Sequence, residues 1–191
     1  MSDEREMFEE IVRRIRDGDT PLRDAVVREL VGPGLSQREK TAPFPPGADW
    51  YVIRVELISG LALDLDPPPG RDFLVSRQHT FRQLAEVINS GFARWDLGHL
   101  YVFRLADGTM VGTAFEDLPY REAARTKIGR RREGEVFEYE FDFGDSWKHR
   151  CTVLETEVDP EDVYGVRPKG PVAVWGWGAI PDQHGRTTPE S

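Results

Sequence analysis

The sequence predicts an α+β fold: a mixed, mainly antiparallel twisted sheet packed on one main helix in a grasp-like arrangement, with an N-terminal helical hairpin in front. Two observations carry that expectation. Short stretches of period-two alternation recur between residues 50 and 157, separated by Gly, Pro and Asp turns. Among them, one strongly capped helical stripe begins at Thr80. With 39% apolar residues in a chain of 191, such a mixture suits one domain with an appendage.

In chain order, Met7, Phe8, Ile11, Val12 and Ile15 fall on one helical face, and Gly18 is a natural stop. Thr20-Pro21 starts a second helix, with a hydroxyl cap and a proline where a missing N–H costs nothing. Leu22, Val26 and Leu30 continue that stripe, so residues 1–32 read as a helical hairpin whose apolar faces need cover, from the main domain or from a protein partner. Residues 33–49, with Pro33, Pro45 and Pro46 and no periodicity, read as a linker. The main domain is expected over residues 50–185, and residues 186–191 are a polar tail.

Within that domain, Tyr51, Ile53, Val55 and Leu57 alternate with a second face, and Leu61, Leu63 and Leu65 repeat the pattern until Pro67-Pro68-Pro69-Gly70. Thr80 and Gln83 then form a capping-box pair, and Phe81, Leu84, Ile88, Phe92 and Trp95 make one stripe. Residues 99–105 read as a buried strand, Ala106-Asp107-Gly108 as a turn and residues 109–114 as its partner. Residues 121–132 read as a short basic helix or loop, and residues 135–143 and 147–157 as two further strands.

In the first of these two strands, odd positions from Phe137 to Phe143 are aromatic and even positions acidic. In the second, Trp147, His149, Cys151 and Val153 are odd, while Lys148 and Arg150 are even. A three-residue loop, Gly144-Asp145-Ser146, pairs odd with odd. It sets Phe141 against His149 and Tyr139 against Cys151 inside, with Asp142 against Lys148 and Glu140 against Arg150 outside. An even loop would place the acids beside Trp147 and His149, so the odd register is expected.

Composition removes several function classes. No apolar run approaches the roughly 20 residues a bilayer span needs. The opening Met1-Ser2-Asp3-Glu4-Arg5-Glu6 has no apolar core, so neither membrane nor signal peptide is expected and the cytoplasm is the expected compartment. The single Cys151 excludes an internal disulfide and a cysteine-rich zinc cluster. A net charge of −9 excludes a surface that grips nucleic acid all over. The strong positive patch is Arg121, Arg125, Lys127, Arg130, Arg131 and Arg132, which is either a solvated face or a contact for phosphates or an acidic partner. There is no P-loop, no G-x-S-x-G and no H-E-x-x-H.

The segment Tyr139-Glu140-Phe141-Asp142-Phe143-Gly144-Asp145-Ser146-Trp147-Lys148-His149 resembles the Y-x-Y/F-D-F-G-D-x-W-x-H signature of the plasmid pRiA4b ORF-3-like family. Gly98-His99-Leu100-Tyr101-Val102-Phe103 is similar to its H-L-Y-x-F element, and the order of elements agrees over about residues 50–185. Many members end in C-P-P-E-D; residues 179–185 are the nearest match here, without the cysteine and without a Glu-Asp pair, so no role of that element carries over. The resemblance implies a compact α+β fold and an association with plasmids and insertion elements. It brings no catalytic residue and no substrate.

Asp142, Asp145 and His149 lie within eight residues of one another, with His99 on an expected neighbouring strand; these are the candidate catalytic groups. Asp145, His149, Asp182 and His184 are the candidate metal ligands, because carboxylate and imidazole together suit a divalent metal. Against both readings, Asp142 has a cross-strand base, His149 is expected to face the core, and a turn aspartate such as Asp145 serves backbone N–H groups. The expected function is therefore a non-enzymatic binding or interaction module without a cofactor. The alternatives are a metal-dependent hydrolase or nuclease on the hairpin, and a nucleic-acid accessory protein using residues 121–132.

Overall fold

The computed structural model describes residues 47–113 and 120–185. The expected hairpin at residues 1–32, most of the linker and the tail at 186–191 lie outside them.

The first alternation forms β1 (Trp50–Gly60), and Tyr51, Ile53, Val55 and Leu57 are all fully buried, as a strand with one core face requires. The next one shrinks to β2 (Leu63–Asp64), because Leu61 and Ala62 take positive φ of 53° and 59° and make the turn themselves. Next comes β3 (Gly70–Ser76), a strand the alternation does not announce: Phe73, Leu74 and Val75 are consecutive and all buried. Arg54 forks onto Asp72 across these two strands with two bonds of 2.8 Å.

Helix α1 (Phe81–Gly91) starts with the expected capping box: Gln83 N–H donates to Thr80 Oγ1 at 3.3 Å and Thr80 N–H to Gln83 Oε1 at 2.9 Å. Phe81, Leu84, Ala85, Ile88 and the C-cap Phe92 are buried. Trp95 leaves the stripe. Ala93 adopts φ 52°, the backbone turns away, and the Trp95 side chain ends 55% exposed.

The remaining elements are β4 (Tyr101–Arg104), β5 (Met110–Gly112), β6 (Arg121–Glu122), β7 (Val136–Phe141), β8 (Trp147–Val158), α2 (Pro160–Tyr164) and β9 (Val172–Trp177). They form one sheet of nine strands in the order β6-β5-β4-β7-β8-β1-β3-β9, with β2 on β1. Only the β5–β6 pair is parallel, so the sheet is mixed and mainly antiparallel. Sheet dominates the described residues; beside nine strands the two helices are short. The basic segment is no helix: it is β6 followed by turns and one bridge from Lys127 to Thr80.

The signature hairpin keeps the odd-with-odd parity but not the expected pairs. Phe141 faces Trp147, Tyr139 faces His149, Glu140 faces Lys148 and Glu138 faces Arg150. The loop is five residues long because Asp142 adopts φ 55°, a left-handed conformation that aspartate tolerates, and leaves the strand. Asp142 is thus buried and away from Lys148. Glu140 bonds Arg104 at 2.7 Å and Ser146 Oγ at 2.9 Å, and Arg150 turns to Glu56 on β1.

The inner face of the hairpin carries Phe137, Tyr139, Phe141, Trp147, His149, Cys151 and Val153 in one core with the α1 face. Phe103 stacks on Tyr139 with centroids 4.5 Å apart, and the buried Tyr139 hydroxyl donates to Asn89 Oδ1 at 2.9 Å.

Candidate functional site

Pairing of Tyr101 with Phe141 brings the residues just before β4 alongside those just after β7. Leu100 O accepts from Asp142 N–H at 2.9 Å, and the neighbouring His99 turns Nδ1 to within 3.3 Å of Asp142 Oδ2. The other Asp142 oxygen accepts from Gly144 N–H at 3.1 Å, and its carbonyl accepts from Ser146 N–H. One buried carboxylate thereby closes the hairpin loop and faces an imidazole. Asp145, in the same loop, is pinned through its carbonyl, which accepts from Leu61 N–H at 2.8 Å.

The chain returns to this point after β9. Gln183 is fully buried; its Oε1 accepts from Trp95 N–H at 2.8 Å and Asp96 N–H at 3.1 Å, and its Nε2 donates to Asp96 O at 2.9 Å. That clamp delivers the next residue, His184, whose Nδ1 stands 3.3 Å from Asp145 Oδ2. The edge of its ring meets Trp95 at 5.1 Å.

Asp96 completes the cluster. Its Oδ2 is 3.3 Å from His99 Nε2 and 4.0 Å from His184 Nε2. The carboxyl is held below its ordinary range, first by the N–H of Gly98 at 3.2 Å and then by His99. Two imidazoles are therefore each backed by an aspartate at Nδ1, and both present Nε2 to one oxygen. The aspartates set the tautomer: a ring proton held at Nδ1 by its carboxylate would leave Nε2 free to bind a cation, whereas a proton at Nε2 donates to Asp96. Both rings are about a third exposed. As the side chains stand, no group of three His, Cys, Asp or Glu among the described residues is arranged to hold a metal ion.

No curated protein matches the chain. The family model for the plasmid pRiA4b ORF-3-like protein matches residues 50–183. The chain belongs to the plasmid pRiA4b ORF-3-like family. Among solved structures, the crystal structure of a protein of unknown function from Methanosarcina mazei Go1 is similar with a TM-score of 0.52 and 20% identity. That match covers 66% of this chain and 68% of the other, and at this identity it shows a shared fold.

Both stretches that resemble pRiA4b ORF-3-like motifs contribute to the cluster, His99 before β4 and Asp142 and Asp145 in the hairpin loop; His184 joins them from residues 179–185, which depart from the family's element, and it lies just beyond the family match. His149, in the hairpin signature, does not join them. It lies in the core between Phe92 and Tyr139, with centroids at 4.9 and 5.3 Å, and burial pushes its pKa down to about 3, the Arg94 charge adding to the effect. Asp182 uses Oδ1 to accept from His184 N–H at 3.0 Å, supporting the turn on which that histidine sits.

The basic residues lie elsewhere. Arg125 pairs with Glu122, Lys127 donates to Gln78 at 2.8 Å, and Arg131 bonds Glu135 at 2.7 Å and Ile128 O at 2.8 Å. Arg121 and Arg132 flank them on the same stretch, as does Arg130. Sequence reasoning missed Asp96 and Gln183. Asp96-Leu97-Gly98 carries an aspartate-turn signal, but nothing local marks Gln183 as a clamp. Among the described residues no helix is long and apolar enough to cross a membrane.

Proposed function

We propose that this pRiA4b ORF-3-like protein is a non-enzymatic binding module whose ligand site is formed by His99, His184 and Asp96, with Asp142 and Asp145 behind the rings. The sheet wrapped in grasp-like fashion over α1 is the scaffold, and the N-terminal segment is available to a protein partner. The setting is the cytoplasm of cells that carry mobile elements. The observation supporting the site is the convergence of two aspartate-backed imidazoles on one carboxylate oxygen at a half-open surface. Core packing does not call for such an arrangement. Trp95 and Leu97, both largely exposed, flank Asp96 and add apolar contact area.

A site kept for a ligand is not what holds the fold together, so removing the charge of this exposed carboxyl, with its main hydrogen bond kept, should change stability little. Asp96→Asn keeps the oxygen that accepts from Gly98 N–H and removes one of three neighbouring charges. Thermal unfolding of Asp96→Asn is expected within about 4 °C of the wild-type Tm. A fall of more than about 4 °C would mean a loss approaching 1 kcal/mol, and the cluster would then be a structural brace.

A further inference from the structure

We propose that the cluster is a site for one divalent transition-metal ion, held by Nε2 of His99, Nε2 of His184 and a carboxylate oxygen of Asp96, with Asp142 and Asp145 as positioning residues. This rests on the reading of the cluster as a ligand site and gives the ligand its chemical class.

The donor set is two imidazoles and a carboxylate, which suits zinc, manganese, iron or cobalt better than the all-oxygen cages of calcium or magnesium. The groups behind the donors match as well. A ligating histidine donates its second ring N–H to a carboxylate, which fixes the tautomer and aims the lone pair, and Asp142 and Asp145 each stand 3.3 Å from an Nδ1. Charge points the same way: Asp96, Asp142 and Asp145 surround the two rings, and among the described residues their ion pairs are with those histidines. A bound cation supplies the positive charge the three acids lack.

Two donors on one tetrahedral ion, with bonds of about 2.1 Å, stand about 3.4 Å apart. The Asp96–His99 separation of 3.3 Å already fits, while Asp96–His184 at 4.0 Å is wide. Imidazoles sharing such an ion through Nε2 have centroids about 5 Å apart, against 6.4 Å between His99 and His184. Binding therefore draws His184 inward by about 1 Å on its turn. That short closure separates the placement seen here from one that encloses an ion.

The chain has four histidines, and His79 and His149 are buried, so imidazole-dependent binding by the folded protein must use the other two. The test uses the full chain without an affinity tag, Co²⁺ as a spectroscopic probe and Zn²⁺ as competitor, with calorimetry for affinity. Expected are one ion per chain, visible Co²⁺ absorption removed by Zn²⁺, and shifts on Zn²⁺ addition at the Nε2 rather than Nδ1 resonances of His99 and His184. His99→Ala and His184→Ala should each weaken binding by at least about 100-fold, and Asp142→Asn and Asp145→Asn by about 10–100-fold, the range for such supporting partners. Thermal unfolding of each variant confirms that it folds, and His99→Gln and His184→Gln serve where alanine does not. Absence of Co²⁺ binding, or binding indifferent to both histidines, overturns the metal. If Asp96→Asn is still thermally neutral in that case, the ligand site stands and only its metal class falls.

Discussion

Acidification from about pH 6.5 to about pH 4.5 is expected to remove about 2 kcal/mol of stability through His149 alone. The folded pKa is about 3 and the unfolded value 6.5, so the native state stays neutral where the unfolded chain takes a proton. Stability from this group is full above pH 6.5 and drains as pH falls toward the folded pKa, at about 1.4 kcal/mol per unit. Burial is the main cause and Arg94 adds to it. Bonds with the backbone at Tyr139 and Trp147 oppose it, and Nε2 has no hydrogen-bond partner among the described residues. His149→Phe keeps a ring between Phe92 and Tyr139 and discards both the proton and the orphan nitrogen. Near pH 8 it should lie within about 1.5 kcal/mol of wild type, as shape-conserving core swaps do. Near pH 4.5 it should be the more stable chain. Urea unfolding across this pH range decides the matter, since carboxylate terms are common to both chains and cancel in the difference. His79, whose pKa burial also lowers, contributes the same sign of slope to both. Parallel profiles would mean that the native core admits a charged His149.

Legibility in the sequence followed how local each cause was. The Thr80–Gln83 cap and the inward face of β1 were readable because a few neighbouring residues decide them. Hairpin parity was readable too, since burying the aromatic face leaves one choice. Its loop length was not: Asp142 sits at an acidic even position and looks like strand, yet its left-handed backbone ends the ladder at Phe141, two residues before the expected Phe143. Trp95 failed likewise, because the helical spacing runs on past the backbone break at Ala93. Strands β3 and β9 were hidden, the first by burial on both faces and the second by Gly176 within it and the Gly170-Pro171 and Gly178 that bound it.

For the site, the chemical residue types were visible and their grouping was not. His149 was placed with Asp145 by closeness in sequence, but it is buried in the core between Phe92 and Tyr139 and does not reach the cluster. His99 reached Asp142 through the β4–β7 pairing, and His184 reached Asp145 through the return of the chain after β9. Both are long-range events that no motif spacing records.

That return depends on Gln183, and Gln183→Ala is expected to lower stability by about 3 kcal/mol while releasing His184 from the cluster. Three hydrogen bonds join this fully buried amide to the backbone of Trp95 and Asp96. Each is worth about 0.5–1.5 kcal/mol net, and truncation adds the cost of the space left behind. Gln183→Glu separates the parts. It keeps an acceptor for the two N–H groups but turns a carboxylate oxygen toward Asp96 O, replacing a bond by repulsion, so it should destabilise at least as much as alanine. The positional consequence is specific. With the clamp gone, the bond from Arg94 to Pro181 O at 3.3 Å still ties the return to the helix end, but three residues before His184. His184 ring resonances should then move toward those of a solvated histidine while the His99 resonances stay closer to wild type, because His99 is held from the β4 side by Asp142. Unchanged His184 shifts and an unchanged Tm in Gln183→Ala would show that the turn itself, through Asp182 and the Trp95 ring, is enough to hold the second imidazole in place.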